Sequence, residues 1–366
     1  MAEAVKPRPR VLHAAHMRVP VVGPVRQMEQ EQRAADDLGI PWESSFYCPV
    51  GMDGSVVHHA PGASSWSGFK RTYYGWLRER SVEFDAVLLR YAAYDPFQLR
   101  FVRESPVPIV TMHHAMEHHE LWGDGRASIR ARAVGERLLG PLTLSHAIGH
   151  AAVTGEIARH QQHRALGRER PVIVYSNGAF YDGDCVVPAA LVGDRHELLL
   201  MSSKYSSWAG LDLLIDAADR SERDFLVHVV GQLTDEQRQR LSGDRRFAVH
   251  GYLDASAIDA LVARSTIGLS TFAIHRKRMT EGNTLKVREY LRAGLPVYAG
   301  YRDVFDERFP YYRHGETDFD RILDFADEMQ EVDRREVSEC ARPLIEKRAV
   351  VARFYEELVE LLQGHA

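Results

Sequence analysis

Cysteine is scarce: three in 366 residues, Cys48, Cys185 and Cys340, widely separated and with no C-x-x-C pair. That excludes a disulfide framework and a zinc ribbon, and it fits a reducing compartment. No apolar run approaches the ~18–20 residues that span a bilayer. The first ten residues are polar, with Pro7 and Pro9, and lack the apolar core of a signal peptide. These features predict a soluble, cytoplasmic protein. A basic surplus is also missing, with Lys plus Arg at 46 against Asp plus Glu at 51, a net charge of −5. That argues against a dedicated nucleic-acid binder. Short internal repeats and low-complexity tracts are absent.

What remains is an ordinary globular composition, 45% hydrophobic and 27% charged. At about 100–200 residues per domain the length predicts two or three domains. Short apolar runs alternate with amphipathic stretches. Residues 11–15, 86–90, 107–112, 151–154 and 172–175 read as strands. Residues 25–38 and 128–148 read as helices, the second broken at Gly140-Pro141. The rhythm returns in the second half, with strands at 197–201, 225–230, 247–250, 267–270 and 296–298. Helices are expected there at 211–218, 255–264 and 283–293. Strands alternating with helices of this length mean βαβ units and parallel sheets. Two such series predict an α/β protein of two Rossmann-like domains, 1–185 and 186–340, joined by a linker at 183–195. A closing helix at 341–366, interrupted near Pro343, carries apolar Val351, Phe354 and Leu358 on one face and is expected to pack on a surface.

Residues 250–300 carry the most chemistry. Glu281 and Glu289 lie eight apart, and Gly282, Asn283 and Thr284 follow the first. Asn283 or Thr284 is expected to cap a helix there. Its unpaired N–H groups and positive dipole end suit a nucleotide diphosphate. Glu289 falls within two turns, near Lys286, where a carboxylate can take two ribose hydroxyls. Gly294 then ends the helix, and Pro296-Val297 starts a strand.

This segment resembles the nucleotide-sugar site of GT-B glycosyltransferases, in particular the retaining glycosyltransferase family four. Its pattern is E-x7-E followed by a helix and a G-x-P-V strand, here Glu281, Glu289 and 294–297. Residues 172–178 (VIVYSNG), 198–217, 229–231 and 250–253 resemble further strand ends of that family in its order. The resemblance implies two facing Rossmann-like domains, with the last helix crossing back to the first. It implies sugar transfer from a nucleoside-diphosphate-sugar to an acceptor hydroxyl, with retention, without metal and with no other cofactor. It implies that Glu289 binds the donor ribose and that Gly282, Asn283 and Thr284 hold the diphosphate. Glu281 faces the sugar, and the Gly251–Tyr252 turn lies along the base. At the end of the first donor-domain strand Lys204 takes the place of a clamping cation. The second such position reads Ala209-Gly210, so that cation is missing, and Arg276, Lys277, Arg278 or Lys286 stands in for it. The loop at 15–24 has only Gly23 where the family often has a glycine pair. His113, at a strand end, matches the family's histidine near the sugar.

Other readings stay open. His114, Glu117 and His118 spell H-x-x-E-H, an inverted zinc-peptidase motif whose third ligand the sequence does not show. Two D-x-D triplets, at 182–184 and 318–320, lie away from the donor motif. The missing cation at Ala209 favours a non-catalytic GT-B module, and a nucleotide-sugar epimerase shares the fold. The acceptor is a glycan, a lipid-linked intermediate or a small molecule. The basic, aromatic stretch 69–80 (FKRTYYGWLRER) suits either an anionic membrane surface, with peripheral contact at the inner face, or a plain amphipathic helix.

Overall fold

The computed structural model describes residues 7–18, 22–48, 54–59, 65–123, 127–167, 169–190, 193 and 195–365. Parts of the expected loop at 15–24 (residues 19–21) and of the linker (191, 192 and 194) lie outside the described residues. The chain divides into two compact units, Met1–Tyr175 with Lys347–Ala366, and Ser176–Glu346.

The first unit runs β1 (Val11–His16), α1 (Val22–Leu38), β2 (Trp42–Cys48), β3 (Val57–His59), α2 (Trp66–Ser81), β4 (Ala86–Arg90), α3 (Pro96–Glu104), β5 (Ile109–His113), α4 (Glu117–Gly123), α5 (Ala127–His146), β6 (Gly149–Ala152), α6 (Gly155–Arg164) and β7 (Val172–Val174). Its seven strands form one sheet in the order β3-β2-β1-β4-β5-β6-β7, parallel throughout. The order reverses between β1 and β4. In β4 the residues Ala86, Val87, Leu88 and Leu89 are all buried, as a strand covered on both faces requires.

The second unit runs β8 (His196–Lys204), α7 (Leu211–Ala218), β9 (Phe225–Gln232), α8 (Asp235–Leu241), β10 (Phe247–Gly251), α9 (Ala255–Arg264), β11 (Ile267–Ser270), α10 (Leu285–Arg292), β12 (Val297–Ala299), β13 (Tyr312–His314), α11 (Phe319–Met329) and α12 (Arg334–Ile345). Its sheet, β10-β9-β8-β11-β12-β13, is again parallel and reverses between β8 and β11. One core beneath it joins Leu198, Leu200, Val227, Val229, Leu269 and the stacked rings of Phe225 and Phe319. The last helix, α13 (Lys347–His365), belongs to the first unit. Phe354 of that helix stacks on Tyr175 at 4.1 Å, and Lys347 lies 3.9 Å from the buried carboxylate of Glu31.

Several expectations need correction. The units part after Tyr175 rather than at 185, because residues 176–181 bond into the second unit: Ala179 N–H donates to Ile345 C=O, and Arg292 donates to Phe180 C=O. The second crossing falls at Glu346 rather than 340. Glu346 has extended backbone (φ −61°, ψ 127°) and separates α12 from α13, whereas Pro343 lies inside α12. Pro141 likewise does not break α5. The carbonyl its missing N–H would pair belongs to Arg137, an exposed residue with access to water. Strands β2, β3 and β13 and helices α3, α4, α8 and α11 were not among the expected elements. The stretch 69–80 forms most of α2 and buries Phe69, Lys70, Tyr73, Tyr74 and Leu77, so its aromatic side faces the sheet. Among the described residues no helix is long and apolar enough to cross a membrane.

Candidate functional site

In a parallel sheet ligands bind beyond the carboxyl ends of the strands, where the strand order reverses. In the second unit that point lies between β8, ending at Lys204, and β11, ending at Ser270. A cavity of about 640 Å³ opens there, lined among others by Asn177, Ser202, Trp208, Gly231, Tyr252, Asn283, Thr284 and Lys286. Gly231, which ends the core of β9, permits the close approach of β8. At φ +121° a Cβ on this residue would stand 1.6 Å from the carbonyl oxygen of Ser202.

Helix α10 starts at this cavity. Thr284 is its N-cap residue by backbone geometry, yet its side chain does not cap the helix. The Thr284 hydroxyl instead meets Tyr301 Oη at 2.8 Å and Ser270 Oγ at 3.2 Å. The first-turn amides of Leu285, Lys286 and Val287 therefore have neither an intrahelical acceptor nor a side-chain cap. Asn283 faces the connecting segment. Its Oδ1 accepts from Asn177 N–H at 2.8 Å, and its carbonyl accepts from Asn177 Nδ2 at 2.6 Å. Asn283 Nδ2 is buried without a partner. Tyr290 fixes the distance between helix and strand: its hydroxyl donates to Leu199 C=O and accepts from Met201 N–H, both on β8.

The cations divide into spent and free. Arg276 is held by Asp212 in two hydrogen bonds of 3.0 and 2.6 Å and by the carbonyl of Ser207. The Lys277 ammonium sits 4.4 Å over the Trp208 ring. Arg278 occupies a left-handed cap at φ 57°. Among the described residues no hydrogen bond or ion pair reaches the ammonium of Lys204 or of Lys286. Burial alone brings Lys286 down to about 8. Of the stand-ins the sequence offered for the missing cation, Lys286 is the unpaired one that lines the cavity. Ala209 is buried in the core and clasped by the 272–273 backbone, where Phe272 N–H donates to Ala209 C=O. A lysine side chain does not fit there without displacing that core.

The remaining expected residues are placed as follows. Gly251 ends β10 at φ +69°, and Tyr252, 69% exposed, donates to the carbonyl of Ser203. Gly282 does not offer its amide, which donates to Arg302 C=O at 2.8 Å. Its Cα packs so closely on Tyr301 that a Cβ would lie 2.6 Å from the ring. Glu281 bridges Arg302 through the backbone. Glu289 follows the cavity-lining Leu285 by four residues, hence on the same helix face one turn on, and its carboxylate pairs with Arg292 at 2.7 Å.

His113 is in the first unit, fully buried at the end of β5. Its Nδ1 meets Glu117 Oε1 at 2.8 Å and its Nε2 meets Thr111 Oγ1 at 3.0 Å, and Thr111 also meets His150 Nδ1 at 2.8 Å. With Glu117 ionised, one proton arrangement satisfies the chain: His113 Nδ1–H donates to Glu117, Thr111 donates to His113 Nε2, and His150 Nδ1–H donates to Thr111. Burial lowers His150 to about 3, in keeping with a neutral ring. Both nitrogens of His113 are occupied. Glu117 of the H-x-x-E-H stretch is committed to His113 and to Gln161, and His118 stacks on Trp122. Among the described residues no three His, Cys, Asp or Glu side chains gather as a metal site.

One residue pair was not anticipated. Arg288 and Asp303 are both fully buried and joined by two hydrogen bonds of 2.6 Å. Arg288 also donates to the carbonyl of Asn177 at 3.2 Å and to that of Thr284 at 3.4 Å. It thus holds the connecting segment and the helix start together from beneath.

No protein-family model and no curated protein matches the sequence. Solved structures do match. Sucrose-phosphate synthase from Thermosynechococcus elongatus has a TM-score of 0.69 at 14% identity, covering 98% of this chain and 100% of that one. A glycosyltransferase from Rickettsia africae ESF-5 has a TM-score of 0.65 at 14% identity, covering 98% and 100%. Anabaena HepE, solved in complex with UDP-glucose, has a TM-score of 0.63 at 14% identity, covering 96% and 100%. The chain has the GT-B glycosyltransferase fold.

Proposed function

We propose that this protein transfers a sugar from a nucleoside-diphosphate-sugar to an acceptor hydroxyl. The observation that carries the reading is the cavity at the β8–β11 reversal. One unpaired lysine, Lys286, lines it at the uncapped start of α10, an arrangement suited to a diphosphate, and the exposed Lys204 ends β8, the strand that borders the reversal. In this reading Asn283, Thr284, Lys286 and Lys204 meet the diphosphate, and these charges take the place of a divalent cation. The Gly251–Tyr252 turn flanks the base. Glu289 exchanges Arg292 for the ribose hydroxyls, and Glu281 faces the sugar. Retention belongs to the same proposal, with catalysis by positioning and electrostatic stabilisation of the leaving diphosphate. The acceptor is a glycan, a lipid-linked intermediate or a small molecule.

A thermal-shift panel of UDP, GDP, ADP, CMP and dTDP tests the donor site. A ligand at 100 times its dissociation constant stabilises the fold by about 2.7 kcal/mol. One diphosphate is expected to shift the wild type and fail on Glu289→Ala, and the matching nucleotide-sugars are then assayed for turnover with and without a chelator. No shift from any nucleotide overturns the reading. A shift without turnover of any matching sugar reduces it to a nucleotide-binding module.

A further inference from the structure

Helix α5 is apolar on the wrong side. Its inward face buries Ala133, Gly140, Thr143 and Leu144, together with Glu136. That carboxylate is satisfied there by Arg164, by the Tyr91 hydroxyl and by the Tyr94 amide. At 3.6 residues per turn the opposite pole carries Ala127, Ala131, Val134, Leu138 and Leu142 and no charge. Val134, Leu138 and Leu142 are 52%, 68% and 43% exposed. Single exposed apolar side chains are normal, but a contiguous strip along a helix is not. The strip is extended at its far end by Leu166, also exposed, whose amide donates to Ser145 Oγ of α5 at 2.6 Å.

The flanks indicate what covers it. Arg130 and Arg137 border one side and Arg132 the other, all exposed. The only carboxylate of α5 is the buried Glu136. In a chain of net charge −5, this helix therefore exposes three arginines and no acid. A second copy docking by the same face would set arginine against arginine with no carboxylate on the helix to relieve them. A surface with an apolar interior and a negative skin complements the pattern in full.

We propose that α5 docks the protein on a bilayer containing anionic phospholipid. The helix lies in the membrane plane, with Val134, Leu138 and Leu142 at the acyl boundary and Arg130, Arg132 and Arg137 at the headgroup phosphates. The proposal is independent of the donor reading, since it rests on a different element.

Vesicle sedimentation of the full chain tests it, comparing phosphatidylcholine alone with phosphatidylcholine holding about one third phosphatidylglycerol. The protein is expected to pellet with the anionic vesicles and to be released by salt. Leu138→Glu lowers binding about tenfold or more, and each Arg→Gln change at 130, 132 or 137 lowers it about fivefold. Val82→Glu, at another exposed apolar position, leaves it unchanged. All these positions are exposed, so melting temperatures stay near the wild-type value, which confirms folding. The proposal is overturned if the wild type ignores both vesicle types, or if Leu138→Glu binds like the wild type. It is also overturned if light scattering shows a dimer that Leu138→Glu dissociates, which would make the strip an interface between copies.

Discussion

At the carboxyl end of the first sheet Lys70 is buried between Asp95, 2.5 Å away, and His16 Nε2 at 3.0 Å, and Asp95 also accepts from the Tyr74 hydroxyl. At the same end of the second sheet, Lys204 and Lys286 have no partner. The two sheets share a parallel, doubly wound topology, so topology does not explain the difference. In the first unit Lys70, Asp95, Tyr74 and His16 meet one another, as Glu117, His113 and Thr111 do, although Arg90 Nη1 and His114 Nε2 at the neighbouring strand ends are buried without a partner. In the second, Lys286 lines a cavity with no partner, while Lys204 is exposed. An unpaired cation lining a cavity of ligand size marks a candidate binding place, and a paired one marks structure.

The largest effect that sharpens this contrast is expected at Lys70. Lys70→Met strands the Asp95 carboxylate in the interior and costs about 3–5 kcal/mol of stability. Chemical denaturation should show that loss in full, with diphosphate affinity unchanged in the folded fraction. If Lys70→Met instead weakens the diphosphate and spares stability, the two ends are not opposites.

The Arg288–Asp303 pair tests whether the open site is held in shape from below. Arg288→Met alone leaves Asp303 uncompensated, with a similar cost of about 3–5 kcal/mol. The double change Arg288→Met, Asp303→Leu removes both charges and is expected to restore most of that stability. It frees the carbonyls of Asn177 and Thr284 from their common donor, so diphosphate affinity should fall about tenfold while the melting temperature recovers. Equal affinity in the double variant would show that the pair is structural only.

Lys286→Met is the counterpart of Lys70→Met. It removes a cation with no protein partner, so folding stability stays level or rises, whereas diphosphate affinity falls about ten- to a hundredfold, the worth of one charge-assisted contact. Titration calorimetry gives the second number and denaturation the first.

The legibility of the molecule follows the same division. The βαβ rhythm, both sheets and the E-x7-E segment are visible because apolar runs and helix-start residues are local signals. Lys286 stands out because it sits one residue into a helix whose start the sequence marks, and it lines the cavity, whereas Lys204 rests on the family resemblance and does not line it. Arg288 does not stand out, since its partner lies fifteen residues on, past α10 and β12, and a charged residue on a helix reads as solvated. The same bias concerns Arg276, expected at a phosphate and found on Asp212, 64 positions earlier. Strands β2 and β3 were missed because WESSFYC and VHH are too polar or too short to stand out, and their place is set by pairing, β2 with β1 and β3 with β2. The outward strip of α5 was present in the sequence but unreadable until the fold showed which face is buried.

The smallest effect is a pH dependence, and it identifies the titrating group. Burial without a partner lowers Lys286 to about 8, so its ammonium is fully charged below that value and is lost as pH rises through it. A diphosphate binds the charged form, so affinity should be nearly flat between about pH 7 and 8, above the second ionisation of the terminal phosphate near pH 6, and decline by up to tenfold per unit above pH 8. The slope ends where the ammonium, restored by the bound anion, finally titrates in the complex. The nearby phenols of Tyr205 and Tyr301 are pushed up by burial and stay protonated across this window. Lys286→Met should therefore level the profile as well as lower it. A decline above pH 8 that survives in Lys286→Met would assign the titration to another group and remove Lys286 from the site.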